Sequence, residues 1–101
     1  MSAFDIARID DVIHGRMRLG IMAYLADAEV ADFNTLKAAL QATQGNLSIH
    51  LRKLEDAGYV AIEKSFLARK PLTRARLTPK GRRAFAAYLE AIAKLIEKDG
   101  D

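Results

Sequence analysis

Polar side chains and an apolar stripe alternate between Thr43 and Val60 in a pattern typical of a helix with one binding face. Leu47, Leu51 and Leu54 recur at i, i+4 and i+7, so the spacing predicts that one side of an α-helix is buried. The other side offers amide, hydroxyl, imidazole and cationic groups, which are the groups that contact base edges and phosphates in the DNA major groove. Its candidate DNA-binding residues are Thr43, Gln44, Gly45, Asn46, Ser48, Ile49, His50, Arg52 and Lys53.

Two residues on this predicted recognition helix leave alternatives open. Gly45 lies in the first turn, although glycine in a helix interior costs roughly 1 kcal/mol relative to alanine. Either a neighbouring backbone approaches the helix N-terminus closely, with a DNA phosphate as one candidate, or a tight helix-to-helix turn requires glycine. Ile49 is expected to be exposed, where it packs on a thymine methyl group or against a neighbouring helix. Thr43 and Gly58 are suited to cap the two ends of the helix.

The charge is distributed unevenly along the 101 residues, whose formal net charge is only +3. Eight cations and no acid lie between Lys64 and Arg83. Such a run indicates either a face for a polyanion or a solvated loop. The phosphate or minor-groove candidates in it are Lys64, Arg69, Lys70, Arg74 and Arg76.

Several classes of function are excluded or disfavoured by what the sequence lacks. Without cysteine there are no disulfides, thiolate metal sites or cysteine nucleophiles. His14 and His50 lack the spacing and carboxylate partners of a metal site, so we predict no metal and no cofactor. Ser48 and His50 diverge by about 200° on one helix, which argues against a catalytic triad and against an enzyme. With no apolar stretch of roughly 20 residues and no leader, the chain is expected to be cytoplasmic without a membrane partner.

Periodicity and capping signals predict a single domain, 1–101, made mainly of α-helices with a small β-hairpin, an α+β fold. Asn34 is expected to cap the short helix, and Thr78-Pro79 is a strong helix start. The predicted elements are a leading helix (1–15), a core helix from Arg16 to Ala28, a connection (27–32), a short helix from Thr35 to Leu40 that opens a helix-turn-helix (33–58), a hairpin (59–78) with its tip at 67–72, and a long helix (79–98).

The long final helix carries more apolar surface than a core of this size requires. We predict that the excess contacts a second copy of the chain, with the leading helix packed alongside. The alternative is that the leading helix covers this stripe within one chain. The candidate dimer-interface residues are Ile6, Ile9, Ile13, Phe85, Tyr88, Leu89, Ile92, Leu95 and Ile96.

The order of these elements resembles the winged-helix fold. The segments that carry the likeness are Gly45-Asn46-Leu47-Ser48 with His50-Leu51, Leu54-Glu55-Asp56-Ala57-Gly58-Tyr59-Val60, and Thr73-Arg74-Ala75-Arg76-Leu77-Thr78-Pro79-Lys80-Gly81. They are similar to small bacterial winged-helix transcriptional regulators related to the multiple-antibiotic-resistance and arsenical-resistance repressor groups. The resemblance implies a winged helix-turn-helix that binds a pseudo-palindromic operator as a homodimer. It also implies a recognition helix in the major groove and a wing on the adjacent backbone or minor groove.

Two departures limit what the resemblance implies. Arsenical-type sensors bind metal through cysteines, which this chain lacks. The larger antibiotic-resistance regulators usually carry an acidic wing residue and a longer dimerisation region, whereas this wing is read as wholly basic and the chain is short. A ligand pocket of their kind is therefore not implied, and a small-molecule effector is compatible with the sequence but not indicated by it.

We expect a homodimeric, sequence-specific, double-stranded DNA-binding transcriptional regulator. The alternative is a winged-helix protein-protein interaction module that binds its partner through the long C-terminal helix. A cationic wing distinguishes the two, because an interaction module does not require a run of cations without acids.

Overall fold

A computed structural model describes residues 4–97 of the chain, and it has the predicted α+β class. The elements are a short 3-10 helix (Ile6–Arg8), α1 (Arg16–Ala28), β1 (Val30–Asp32), α2 (Phe33–Ala39), α3 (Gln44–Asp56), β2 (Val60–Leu67), β3 (Lys70–Leu77) and α4 (Pro79–Ile96). The strands form one antiparallel sheet in the order β1-β3-β2. Within residues 4–97, no helix is both long and apolar enough to cross a membrane.

The core forms where α1 and α3 pack on one face of the sheet. The predicted stripe of α3, Leu47, Leu51 and Leu54, is buried as expected. It belongs to one apolar cluster with residues of α1, α2, the sheet and α4 that are buried too: Ile21, Met22, Leu25, Leu36, Val60, Ala75, Leu77, Tyr88 and Ala91. Burial of these side chains fixes which face of α3 remains for binding.

Two side-chain caps and a glycine with positive φ confirm three of the predicted helix boundaries, and a third side-chain cap corrects a fourth. The Thr43 hydroxyl accepts from the Asn46 N–H (3.1 Å), the Thr78 hydroxyl accepts from the Gly81 N–H (2.9 Å), and Gly58 has φ +82°. The predicted Asn34 cap is wrong. Asp32 caps α2 instead, because β1 ends there in extended backbone and the carboxylate accepts from the Thr35 N–H (2.7 Å).

The predicted leading helix over 1–15 is wrong for the part that the structure describes, where only Ile6–Arg8 is helical, as a single 3-10 turn. The Asp10 carboxylate accepts from the backbone N–H of Val12 (2.8 Å) and of Ile13 (3.4 Å). A helix would need those donors for its own hydrogen bonds, so the aspartate favours a turn. Residues 1–3 lie outside the described residues.

Asp10 also connects this N-terminal segment to the junction between α3 and β2. Its second oxygen accepts from the Tyr59 hydroxyl at 2.5 Å, and this hydrogen bond raises the pKa of Tyr59 to about 12. Ile9 and Ile13, on either side of Asp10, are buried in the core. The segment is therefore held by packing and by a long-range hydrogen bond rather than by helix formation.

The hairpin, which we call the wing (Val60–Leu77), has longer strands and a tighter turn than predicted. Its turn consists of Ala68 and Arg69 alone, both with positive φ (+52° and +69°), which is the geometry that matches the twist of paired strands. Pro71 lies inside β3 opposite Phe66, so the predicted tip at 67–72 is too wide. Proline is tolerated there because β1 pairs with β3 only at residues 74–76, which leaves that part of β3 as an edge strand.

Candidate nucleic-acid interface

The exposed surface of α3 consists of two polar sides and a central crest. Gln44, Ser48 and Arg52 face the wing, because these three residues line the depression between α3 and the hairpin. Asn46 and His50 line a second depression on the side of α1. The crest, Gly45 and Ile49, lies between them, and Thr43, Lys53 and the crest residues are all exposed. The helix thus presents its predicted polar residues around an unobstructed outer edge.

A groove of about 620 Å³ separates α3 from the wing and the start of α2. Arg52 from α3 and Lys64 from the wing bring positive charge to it, and Ser48 and Thr73 bring hydroxyl groups. Carboxylates also line the groove, at Asp32, Glu55 and Asp56. The groove therefore carries charges of both signs and is not a purely cationic surface.

The structure removes one of the two explanations for Gly45. Its φ is not positive, and apart from its chain neighbours and the adjacent backbone of α3, no described atom lies within 4 Å of where a Cβ would stand. A tight turn therefore does not require glycine at this position, and the approach of another molecule to the helix N-terminus stays a prediction. Ile49 is 58% exposed, as expected, so it does not pack into a neighbouring helix.

His50 is half-buried and makes a contact that sequence reasoning missed. The Arg18 guanidinium, on α1, places Nη1 2.9 Å from His50 Nδ1. Because arginine only donates, His50 accepts through Nδ1, and in its neutral form it carries its proton on Nε2. Arg18 also donates from Nε to the Val12 carbonyl oxygen, so it ties the N-terminal segment to the recognition helix. The two partners are 32 residues apart, and no local sequence signal connects them.

Acidification is expected to destabilise the protein through His50. Burial lowers the pKa of His50 below its ordinary value of 6.5, and the nearby cations Arg18 and Lys53 lower it further. The folded state therefore binds this proton less readily than the unfolded chain, and the associated stability is lost as the pH falls through about 6.5. Urea unfolding between about pH 8 and pH 5.5 should show a smaller loss for His50→Gln than for the natural chain. Equal pH profiles for His50→Gln and the natural chain would contradict this role of His50.

The wing divides its cations between a tip and two faces. Lys64 and Thr73 face each other across the strands and line the groove, whereas Arg69 and Lys70 lie at the exposed tip. Arg74 and Arg76 alternate with the buried Ala75 and Leu77, so they lie on the face of the sheet turned away from the core and the groove. The structure therefore does not bring these two arginines together with α3.

Arg74 also has acidic neighbours that correct the view of a wholly basic wing. In the register of the sheet it stands between Asp32 of β1 and Glu63 of β2. Opposite charges on directly paired positions stabilise a sheet by roughly 0.2–1 kcal/mol. The placement of Arg74 fits a role in the sheet, and the net positive part of the wing is its tip.

The residues predicted for a dimer interface separate into three groups. Ile9, Ile13 and Tyr88 are already buried in their own chain, and Phe85, Ile92 and Leu95 are half-buried. Ile6, Leu89 and Ile96 are 68%, 50% and 76% exposed. Arg8, beside Ile6, reaches Glu90 at 3.4 Å, about 100° around α4 from Leu89, so the leading segment lies along a different side of this helix.

A comparison with protein-family models decides the assignment of the fold. The model described as a winged helix DNA-binding domain matches residues 17–96, which run from the start of α1 to the end of α4. The chain belongs to the winged helix DNA-binding domain family. In this winged helix, α2 and α3 form the helix-turn-helix and β2 and β3 form the wing.

Individual proteins agree with this assignment. An uncharacterized protein of Methanocaldococcus jannaschii is 39% identical over 84 residues, which cover 83% of this chain and 91% of that protein. The structure of a transcriptional regulator homologue from Pyrococcus horikoshii matches with a TM-score of 0.79 and 32% identity, over 84% of each chain. A MarR-family transcriptional regulator from Silicibacter pomeroyi matches in fold, with a TM-score of 0.66 and 24% identity over 82% of this chain and 56% of that one.

These likenesses confirm the resemblance to small winged-helix regulators that the motifs indicated. They include archaeal as well as bacterial proteins. A bacterial source for this winged helix therefore stays a prediction.

Proposed function

We propose that this winged helix is a sequence-specific, double-stranded DNA-binding transcriptional regulator that acts as a homodimer. The observation that carries the proposal is the exposed outer edge of α3, where Gly45 and Ile49 lie between two polar sides while the leucine stripe is buried. In the proposed complex α3 enters the major groove and the wing tip lies along the adjacent backbone or minor groove. That the Pyrococcus horikoshii protein is a transcriptional regulator homologue supports the same function here.

The two polar sides of α3 suggest how bases are read. Gln44 and Asn46 are exposed on opposite sides of the crest, and each side chain can pair bidentately with adenine. Arg52 and Lys53, about two turns further along, are suited to guanine or phosphate. Gly45, between the amides, leaves room for a phosphate at the N-terminus of α3.

The experiment that tests this function is a measurement of DNA binding by fluorescence anisotropy. The duplexes are DNA from just upstream of the gene that encodes the chain and a scrambled duplex of the same composition, each at low and physiological salt. We expect tighter binding to the upstream duplex that persists at physiological salt, and non-specific binding that weakens steeply with salt. Failure to bind either duplex at low salt would reject the proposal.

Two pairs of wing cations provide a matched test of how the wing meets DNA. Arg69→Ala with Lys70→Ala removes two charges from the tip and should weaken binding roughly 10-fold, with the log-log salt slope smaller by about 0.9 for each lost phosphate contact. Arg74→Ala with Arg76→Ala removes two charges from the outward face of the same hairpin, where Arg74 stands between carboxylates. For this control pair we expect a log-log dependence of DNA affinity on salt that is close to that of the natural chain. The reverse ranking would show that the outward face, not the tip, contacts the backbone.

The proposed dimer uses one edge of α4. Phe85, Leu89, Ile92 and Ile96 follow one another at spacings of four, three and four, which is the spacing of an apolar seam between paired helices. Leu89 and Ile96 of this seam are at least half exposed, whereas Tyr88 and Ala91 turn toward the core. A second copy of α4 is the simplest partner for such a seam, and two copies would present two recognition helices to a pseudo-palindromic site.

A further inference from the structure

The tip of the wing carries two large apolar side chains that the core does not use. Phe66 is 75% exposed and Leu67 is 65% exposed. They are the last two residues of β2, directly before the turn at Ala68 and Arg69. Successive strand residues point to opposite faces, so one apolar side chain stands on each face of the ribbon, Phe66 across from Pro71 and Leu67 across from Lys70.

The tip extends away from the rest of the molecule. The pairing of β1 with β3 ends at Asp32 and Arg74, whereas β2 and β3 remain paired out to Leu67 and Lys70. Beyond the three-stranded part, the wing is a bare two-stranded ribbon about 13 Å long, at roughly 3.3 Å per residue. A minor groove is about 6 Å wide and 7.5 Å deep, so the end of the ribbon, rather than its face, is the part that fits into it.

The surroundings of Phe66 and Leu67 determine which partner suits them. Lys64, Arg69 and Lys70 flank the pair, and no acid occurs between Lys64 and Arg83. An apolar pair flanked by cations complements a polyanion whose interior is apolar. Duplex DNA has this chemistry, with phosphates along the rim of the minor groove and stacked bases at its floor.

We propose that Phe66 and Leu67 form an apolar wedge that enters the minor groove next to the α3 site, separates a base step and bends the duplex. The proposal rests on the DNA binding proposed above. In it Arg69 and Lys70 hold the two phosphate rims while the wedge supplies contact with the bases. Apolar side chains inserted at a base step unstack the two base pairs and kink DNA toward the major groove. The free-energy cost of inserting the wedge therefore depends on how easily that base step deforms.

The test uses the full chain and the upstream duplex, with 2-aminopurine placed at successive positions on either side of the α3 site and a fluorophore pair at the duplex ends. The natural chain is expected to raise 2-aminopurine emission at one flanking step and to increase energy transfer between the ends. Phe66→Ala with Leu67→Ala should lose both signals and weaken binding roughly 10- to 100-fold, the range expected from the apolar contact removed. Its salt slope should stay unchanged, because no cation is removed.

Val30→Ala is the matched control, since Val30 is another exposed apolar residue of the sheet, 49% accessible, but lies on β1 away from the tip. It should leave emission, bending and affinity as they are. The double variant should unfold at the same temperature as the natural chain, as expected for substitutions at exposed positions. That result would confirm that its fold is kept.

Two other partners for the tip would overturn the wedge. If the double variant bends DNA normally but no longer binds phosphatidylglycerol vesicles, the tip belongs to a membrane surface. If it bends DNA normally but no longer sediments as a dimer, the tip belongs to a second copy. Normal binding and bending with neither change also overturn the wedge and leave the regulator intact, whereas a natural chain that binds no duplex rejects the underlying function.

Discussion

Replacing Gly81 by alanine is expected to lower the free energy of unfolding by about 3 kcal/mol or more. Adding atoms to a filled site typically costs 1–3 kcal/mol, and it costs more where the neighbouring atoms cannot move. Gly81 lies in the first turn of α4, where it is buried against the backbone of Tyr59. An added Cβ would overlap the Tyr59 carbonyl oxygen and stand 2.8 Å from its carbonyl carbon. Backbone atoms cannot rotate out of the way as a side chain does, so α4 or the start of the wing must move.

The Tyr59 backbone is held on several sides, which prevents an inexpensive relaxation. Its carbonyl oxygen accepts from the Thr78 N–H (3.0 Å), and its side-chain hydroxyl donates to Asp10. Thr78 also donates its hydroxyl hydrogen to the Gly58 carbonyl oxygen (2.6 Å). The end of α3, both ends of the wing and the start of α4 therefore meet at this point, and a shift would change the angle between α3 and α4.

Gly45 supplies the control for the Gly81 experiment, because the two glycines occupy equivalent first turns and differ in what surrounds them. Apart from the chain neighbours and the adjacent backbone of α3, an added Cβ at Gly45 meets no described atom within 4 Å. Gly45→Ala should therefore raise the free energy of unfolding, by up to about 1 kcal/mol, while Gly81→Ala lowers it. Urea denaturation of both variants and the natural chain measures the difference. A midpoint for Gly81→Ala equal to that of the natural chain would show that the junction can deform.

Gly45→Ala has a second readout that bears on the interface. If a phosphate approaches the N-terminus of α3, the stabilised variant should bind DNA more weakly than the natural chain. A variant that is both more stable and equally tight in binding would leave Gly45 without a role in the complex.

Elements with strong local signals were predictable from the sequence. The apolar period of α1 and the hydroxyl caps of α3 and α4 depend on residues within one or two turns of each other. Both predicted bounds of α1 and the predicted starts of α3 and α4 are confirmed, whereas α4 ends at Ile96 and not at the predicted residue 98. Gly81 is an instructive omission. Glycine in a helix interior is costly, but that cost alone does not distinguish Gly81, which packs against the Tyr59 backbone, from Gly45, which has open space beside it.

Features that depend on distant partners were not predictable. The helical spacing of Ile6, Ile9 and Ile13 is real, but the Asp10 carboxylate takes the backbone donors and the Tyr59 hydroxyl, 49 residues away, fixes its position. The three residues of β1 form a strand because they pair with β3 more than 40 residues later in the chain. Neither interaction leaves a local pattern.

The candidate site shows the same division. A period of two placed Arg74 and Arg76 correctly on one side of the ribbon, but the period alone does not tell which side faces the groove. Burial of Ala75 and Leu77 settles that, and it depends on how the sheet packs on α1 and α3. The run of cations in this part of the sequence is therefore divided in space. Some lie at the cationic tip of the wing, whereas Arg74 stands between Asp32 and Glu63 in the sheet.

Placing aspartate at both exposed seam positions, Leu89→Asp with Ile96→Asp, is expected to convert the proposed dimer to a monomer. Each carboxylate would have to be buried against an apolar partner, and burial of an unpaired charge costs more than a helix pair of this length gains. Operator affinity should fall with the dimer by roughly 100-fold or more, because two linked half-sites bind with an effective concentration that a single one lacks. Leu89 and Ile96 are exposed in the single chain, so the folded monomer should survive.

The control pair, Ala87→Asp with Lys94→Gln, makes the same change of −2 in net charge at exposed positions of the same helix. These positions lie about 140–160° around α4 from Leu89, so the pair should remain dimeric and bind the operator with nearly natural affinity. Sedimentation equilibrium at micromolar protein and anisotropy on the upstream duplex provide the two readouts. A seam variant that sediments like the natural chain would place the dimer contact elsewhere on α4. A seam variant that is monomeric yet binds with natural affinity would show that one winged helix reads its site alone, because the linkage between half-sites would then contribute nothing.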